Sequence, residues 1–331
     1  MKKSLVILLA ATLGFVACKN EKKGPGGLLY TIHKDAGKPR IKEGDVVKVD
    51  FIWKNDKDSI IKSTYDMQSP QEFPVGKKQY AGDMNDVLFL FGEGDSATFK
   101  INIDTMLKYT KQPRPEQVKN DKYLSYTVKI QKVIAKKAGE TDSAFQKRAN
   151  EIVMADRKAA FDKRKNSEEA IIKKYIVDNK LDVKTTPSGL RYVITALGTG
   201  TKPVMGDTAV VNYTGKFTFK KSDGEDNVFD TSVQSVAKKT MPANPMAKFG
   251  PRPIPLTEGV AKGFLEALQL VGKGGKITAI LPSKLGYGEQ GGGPIAPYSV
   301  LVFDIEMTDI KKQVAGAFPP PVMTAPPTAA N

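Results

Sequence analysis

An α+β architecture made twice is what the sequence predicts, and three observations predict it. Short stretches place apolar residues at every second position, as in Ala209, Val211 and Tyr213 or in the run from Val300 to Met307, which is the period of a half-buried strand. One short helical candidate lies among them: Gly263-Phe-Leu-Glu-Ala-Leu-Gln-Leu270 can turn Phe264, Leu265 and Leu268 toward a sheet, and it stops before Gly272 and Gly274. The chain also repeats itself in order. Gly27-Leu-Leu-Tyr-Thr-Ile32 matches Gly189-Leu-Arg-Tyr-Val-Ile194, and Gly44-Asp-Val-Val-Lys-Val-Asp-Phe51 matches Gly206-Asp-Thr-Ala-Val-Val-Asn-Tyr213, both at an offset of 162. Phe73-Pro74-Val75 then parallels Ile254-Pro255-Leu256, Leu90 to Gly94 parallels Leu270 to Gly274, and Leu124 to Val128 parallels Leu301 to Ile305. Two copies of an antiparallel sheet wrapped on a short helix account for all of this.

Read from the start, Lys2 and Lys3 precede an apolar run from Leu5 to Ala17, the form of a signal peptide over residues 1–17. That run is shorter than the ~20 residues a spanning helix needs. Residues 18–26 are polar and Gly-rich and read as a flexible tether to a first domain at 27–137. Residues 138–184 lack strand alternation and read as a helical linker. Phe145, Ala149, Ile152 and Val153 stand there at helical spacing, and a second helical stretch starts near Ser167, an N-cap candidate followed by Glu168 and Glu169. Ile171, Ile172, Tyr175 and Ile176 form its apolar stripe. Such a linker serves either as a spacer covering a domain edge or as an arm for dimerisation or client binding. The second domain spans 185–312, and 313–331 is a Pro-rich tail with too little apolar content to fold.

At 331 residues with 40% apolar and 26% charged content, the chain has room for two globular domains. Its net charge of +15 raises nucleic acid as a partner. The excess of Lys and Arg over Asp and Glu, however, is 2 in residues 18–26, 5 in 27–137, 2 in 138–184 and 4 in 185–312. A charge spread so thinly argues against a nucleic-acid stripe. Cys18 is the sole cysteine, so no intramolecular disulfide can form. With His33 the sole histidine, no metal centre or cofactor site is expected.

Within 185–312 stand Thr186-Pro-Ser-Gly-Leu-Arg-Tyr192, Val211-Asn-Tyr-Thr-Gly215, Phe229-Asp-Thr-Ser232, Gly259-Val-Ala-Lys-Gly-Phe264, Leu285-Gly-Tyr-Gly288 and Pro294-Ile-Ala-Pro297, leading into Leu301-Val-Phe-Asp-Ile305. As an ordered set they resemble the FKBP-type peptidyl-prolyl cis-trans isomerases. The resemblance implies a proline pocket formed by Tyr213, Phe229, Asp230, Phe264, Tyr287 and Phe303, with Val260, Ala261 and Ile295 as its aliphatic rim. It implies as partners the proline-containing segments of unfolded or exported proteins, and macrolides as inhibitors. Phe264 stands where the family usually has Trp, Ala261 where it often has Ile, and Gln234 to Arg252 forms a longer connection than usual, in which Phe249 is a further candidate wall. The first copy has Ile61-Lys62-Ser-Thr64 in place of Phe229-Asp-Thr-Ser232 and Met84 in place of Phe264, and reads as a degenerate FKBP-like domain.

Phe15-Val16-Ala17-Cys18 resembles the lipobox of bacterial lipoproteins, with Phe15 in place of the usual Leu. That resemblance implies a lipid on Cys18 and anchoring at the cell envelope, with Lys19 directing the protein to the outer membrane. An ordinary signal peptide with an incidental cysteine is the alternative. Three functions follow as expectations: a prolyl isomerase for exported proteins, a non-catalytic chaperone using the same cleft, or an assembly module of an envelope machine.

Overall fold

The computed structural model describes residues 21–115, 118–241 and 246–313. The segment expected to be a signal peptide, Cys18, and the expected Pro-rich tail beyond Gln313 lie outside the described residues. The chain divides into two compact units, Met1–Tyr65 with Pro70–Ala149 and Asp66–Ser69 with Asn150–Asn331.

The first unit holds β1 (Lys22–Lys23), β2 (Leu29–Lys34), β3 (Val46–Lys54), β4 (Ile60–Ser63), β5 (Gln71–Pro74), β6 (Ser96–Asn102) and β7 (Tyr123–Ile134). They form one antiparallel sheet in the order β1-β2-β6-β7-β3-β4, with β5 also paired to β3. Between strands lie α1 (Thr64–Met67), α2 (Met84–Leu88) and α3 (Ile103–Thr110). After α4 (Asp142–Asp178), the second unit repeats the plan with β8 (Lys184–Thr185), β9 (Arg191–Ala196), β10 (Thr208–Lys220), β11 (Asp226–Thr231), β12 (Arg252–Pro255), β13 (Lys276–Leu281) and β14 (Leu301–Lys311). Its order is β8-β9-β13-β14-β10-β11, with β12 paired to β10. Its helices are α5 (Gln234–Thr240) and α6 (Lys262–Leu268).

The repetition extends to irregularities. β3 bulges against β7 between Lys48 and Val49, and β10 against β14 between Val210 and Val211, the same place in each copy. Gly44 and Gly206 precede these strands at φ +85° and +93°, a left-handed turn that only glycine adopts freely. Their N–H groups donate to Val75 and Leu256, the matched positions of the apolar motifs. Each core lies between sheet and helix: Leu268 of α6 is buried in one cluster with Leu190, Val211, Leu256, Val271 and Ile277, and Val87 and Leu88 of α2 in another with Val47, Phe91 and Phe99. The FKBP-like α+β fold with its helical linker is therefore as expected.

Some local readings need correction. Residues 22–26 do not form a free tether: Lys22 and Lys23 pair with Tyr30 and Leu29, and Gly24 N–H donates to Leu28 O at 2.8 Å. Backbone bonds to an open sheet edge order this stretch, and side-chain pattern does not report them. β8 pairs Lys184 with Tyr192 and Thr185 with Arg191, so the sheet of the second unit begins at Lys184. The linker is one helix rather than two stretches. Ser167 is no N-cap, because its hydroxyl donates back to Lys163 O at 2.8 Å and Arg164 O at 3.2 Å, a bond that mid-helix serines make. The long connection expected from Gln234 to Arg252 stands, and it contains α5, with Ala237 and Thr240 buried.

Phe145 and Ala149 are buried near the start of α4, while Ile172 further along packs on Ile280, Val300 and Val302. Among the described residues no helix is long and apolar enough to cross a membrane.

Candidate active site

β10 points Val211, Tyr213, Gly215 and Phe217 to one face, as the alternation requires. On its flanks, Gly215 is paired with Asp230 of β11 and with Phe303 of β14. A Cβ at Gly215 would lie 2.7 Å from the Phe229 ring and 2.8 Å from that of Phe303. Glycine there is what lets two aromatic rings lean over the strand.

The rings form a continuous series. Tyr213 meets Phe264 at 5.8 Å and 78°, Phe264 meets Phe303 at 4.9 Å and 69°, and Phe303 meets Phe229 at 5.7 Å and 84°. Edge-to-face contacts of this kind suit the ring quadrupoles and leave a corrugated apolar surface. Phe217 extends the series, 5.2 Å from Phe229. Val260 and Ala261 pack on the hydrophobic core to which Tyr213, Phe264 and Phe303 belong, and Ile295 is buried in that core.

Polar groups sit at its edge. The Tyr213 hydroxyl donates a short hydrogen bond to the Asp230 carboxylate. Burial first, and then that bond, raise the Tyr213 phenol far above its ordinary value. The Tyr287 phenol is also raised, by burial and then by the charge of Asp230, so the two groups sense each other. Both phenols are protonated donors at neutral pH. Tyr287 is nevertheless 44% exposed as a residue. Arg252 lies 5.8 Å over the Tyr213 ring, a cation–π contact beside the acid. Phe249 is exposed at 38%.

All nine cleft residues expected from sequence thus belong to one neighbourhood. Gly215, Phe217 and Arg252 were not among them. Phe217 continues the β10 alternation and was legible there, whereas Arg252 falls in the long connection where motif spacing gives no guide. A groove of about 620 Å³ runs beside α6, lined by Met205, Val260, Leu265 and Gln269, and among the nine expected cleft residues it includes Val260.

The first unit closes the same place from within. Trp53 pairs with Lys62 and Tyr126 as Gly215 pairs with Asp230 and Phe303. Phe99 stands opposite Tyr126 where Ala279 stands opposite Phe303. Trp53 stacks on Tyr126 at 5.8 Å and Tyr126 on Phe99 at 5.4 Å. Burial pushes the Tyr126 phenol up to about 12. Frame hydrogen bonds survive nonetheless: Phe51 N–H donates to Thr64 Oγ1 at 2.9 Å, and Tyr213 N–H to Ser232 Oγ at 2.9 Å.

Comparison with known proteins identifies the family. The family model described as FKBP-type peptidyl-prolyl cis-trans isomerase matches residues 37–131 and 199–308. The FKBP-type peptidyl-prolyl cis-trans isomerase FkpA of Aeromonas hydrophila is 37% identical over 192 residues, covering 55% of this chain and 62% of the relative. The outer membrane protein MIP of Legionella longbeachae is 34% identical over 173 residues, 51% of this chain and 64% of its own. The matched part of the chain spans less than two thirds of the length of these relatives. The crystal structure of FkpA from Escherichia coli is similar over 53% of this chain and 76% of that one, with 30% identity and a TM-score of 0.41. With both of its sheets matched, the chain belongs to the FKBP-type peptidyl-prolyl cis-trans isomerase family.

Proposed function

We propose that the second FKBP domain catalyses cis–trans isomerisation of X–Pro bonds in exported proteins, and that the first is a non-catalytic copy. The observation that carries this reading is the edge-to-face series Tyr213, Phe264, Phe303 and Phe229 with Asp230 and Tyr287 at its margin. Rotation about a peptide bond meets a barrier of ~18–20 kcal/mol because the twisted bond loses amide resonance. No covalent bond is made or broken, so the protein's task is to favour the twisted form. A twisted amide separates less charge than a planar one, and an apolar aromatic surface gripping the prolyl ring suits it better than water does. Tyr287 Oη–H donates to a carbonyl of the bound peptide. Asp230, held by the Tyr213 hydroxyl, is a fixed polar wall beside the rotating carbonyl. Such isomerisation is slow enough unaided to limit folding.

The site residues are therefore Tyr213, Phe229, Asp230, Phe264, Tyr287 and Phe303 for the chemistry, with Val260, Ala261 and Ile295 lining the substrate. Macrolides compete for the same cleft. The lipobox-like Phe15 to Cys18 supports a lipid anchor at the envelope, and the relative named an outer membrane protein supports the outer membrane as its place. A protease-free proline-isomerisation assay on the full chain tests the chemistry. Tyr287→Phe and Asp230→Asn keep shape while removing a donor or a charge, and each is expected to lower kcat/KM by about tenfold, the equivalent of one lost hydrogen bond to a charged or reacting group. Full activity in both variants would overturn these two roles.

The filled cleft of the first unit favours a second reading for that domain alone. With Trp53, Tyr126 and Phe99 stacked where a prolyl ring would enter, it contributes binding or structure rather than turnover.

A further inference from the structure

The segment from Pro282 to Val300 carries Tyr287 and Ile295, and α4 holds both of its ends. At the start, the Glu168 carboxylate takes two hydrogen bonds from one residue: Ser283 N–H donates to one oxygen and Ser283 Oγ–H to the other, each at 2.7 Å. At the far end Arg164, one helical turn before Glu168, donates to the Pro297 carbonyl at 3.2 Å, and the Lys165 ammonium lies 5.4 Å from the Tyr298 ring centre. Ile172 anchors the helix beneath them on Val300 and Val302.

Ser283 is only 5% exposed, so its donors depend on a protein partner. Its carbonyl in turn accepts the N–H groups of Gly286 and Gly288, both at 2.9 Å, which flank Tyr287 on either side. The Gly288 carbonyl then accepts Tyr298 N–H at 2.9 Å and closes the loop on its own base. Tyr298 sits there at φ +57°, a conformation a tyrosine adopts only when its surroundings impose it. An unbroken path of hydrogen bonds thus runs from Glu168 to the residues that aim the Tyr287 hydroxyl. Within the loop Gly291 N–H donates to the Tyr287 carbonyl at 3.1 Å, and Gly292 and Ile295 exchange backbone bonds at 2.8 and 2.9 Å, but the segment is rich in glycine at Gly286, Gly288, Gly291, Gly292 and Gly293 and loses much conformational entropy when ordered.

We infer that Glu168 is a positioning residue of the isomerase cleft, fixing the Tyr287 loop through Ser283, so that the linker helix forms part of the functional site. This rests on the isomerase reading of the cleft. A charged acceptor makes stronger bonds than a neutral one, which is why a carboxylate rather than an amide suits the place: Gln at 168 presents an NH₂ to one of two donors.

The experiment uses the full chain with Glu168→Ala, Glu168→Gln and Ser283→Ala, each made alone and in a Tyr287→Phe background. Glu168→Ala should lower kcat/KM about tenfold alone but less than about twofold where the Tyr287 hydroxyl is already gone, with Glu168→Gln intermediate. Hydrogen exchange at residues 285–298 should quicken in Glu168→Ala while β10 and β14 keep their protection. Equal fold-losses in both backgrounds, or unchanged exchange, would overturn the inference. Should Glu168→Ala fail to fold, Ser283→Ala retains one of the two bonds and must show the same non-additivity. A wild-type chain without isomerase activity would sink the reading of the cleft, and exchange over the loop would then decide by itself whether Glu168 fixes it.

Discussion

Gly215 and Trp53 hold the same register position in their two sheets, and that one difference separates an open aromatic cleft from a filled one. In the second domain the missing side chain leaves room for Phe229 and Phe303. In the first, an indole occupies the room and stacks on Tyr126. The offset of 162 already sets Trp53 against Gly215 in the sequence, but a Trp in a strand reads as ordinary β-propensity and only the facing rings give it meaning. Gly215→Ala is accordingly expected to be far from conservative. A Cβ 2.7 Å from one ring and 2.8 Å from another forces both to move. Overpacking of this kind costs about 1–3 kcal/mol, and displacement of two pocket walls should cut isomerase activity by about tenfold or more. Urea unfolding and the isomerisation assay measure the two effects separately. An alanine variant with native stability and rate would show that the rings are not held by contact with this strand.

Among the elements, α4 departs furthest from expectation. No glycine or proline interrupts Asp142–Asp178, and i,i+4 pairs such as Lys158–Asp162 at 2.7 Å and Lys174–Asp178 at 2.6 Å decorate its exposed sides. Its start is pinned by a fork in which Arg148 donates twice to Glu140, both at 2.7 Å. Its end turns through Lys180 at φ +52°. Ser167 looked like a cap because Ser followed by two acids is a good helix start. In a continuous helix the same hydroxyl bonds backward, and the acids that follow are free to serve elsewhere, Glu168 on Ser283 and Glu169 on Arg191. Ser167→Ala should therefore leave stability within ~0.5 kcal/mol of wild type or raise it slightly. A true N-cap would lose ~1 kcal/mol. Thermal melting of the full chain distinguishes the two, and a clear loss would restore the two-helix reading.

At the scale of the whole molecule, charge and the N-terminal segment bear on where it works. Its charge is dispersed over every segment, and its one cysteine follows a leader-like run. Acyl chains on Cys18 would tether the protein to a membrane surface, with two or more chains needed for stable anchoring. Cys18→Ser is expected to abolish acylation and move the protein from the membrane fraction to the soluble one, with isomerase activity unchanged because the cleft is far along the chain. Fractionation and detergent partitioning read this directly. A serine variant that still partitions with membranes would remove the lipoprotein reading and leave the isomerase reading intact.

Two sheets, their duplication and the helical character of the linker were determined by sequence alone, and the family resemblance named nine residues as candidates for the cleft. Each rests on local pattern: strand period, turn glycines at Gly44 and Gly206, and ordered motifs whose spacing the chain itself records. Tertiary structure decided the rest. The pairing of Lys22 and Lys23 with a sheet edge, the closure of the first cleft by Trp53, the cation–π contact of Arg252 with Tyr213 and the grip of Glu168 on Ser283 join residues distant in sequence. Periodicity along one strand or helix carries no record of such partners, because side chains report the face they occupy and not the element that comes to meet it.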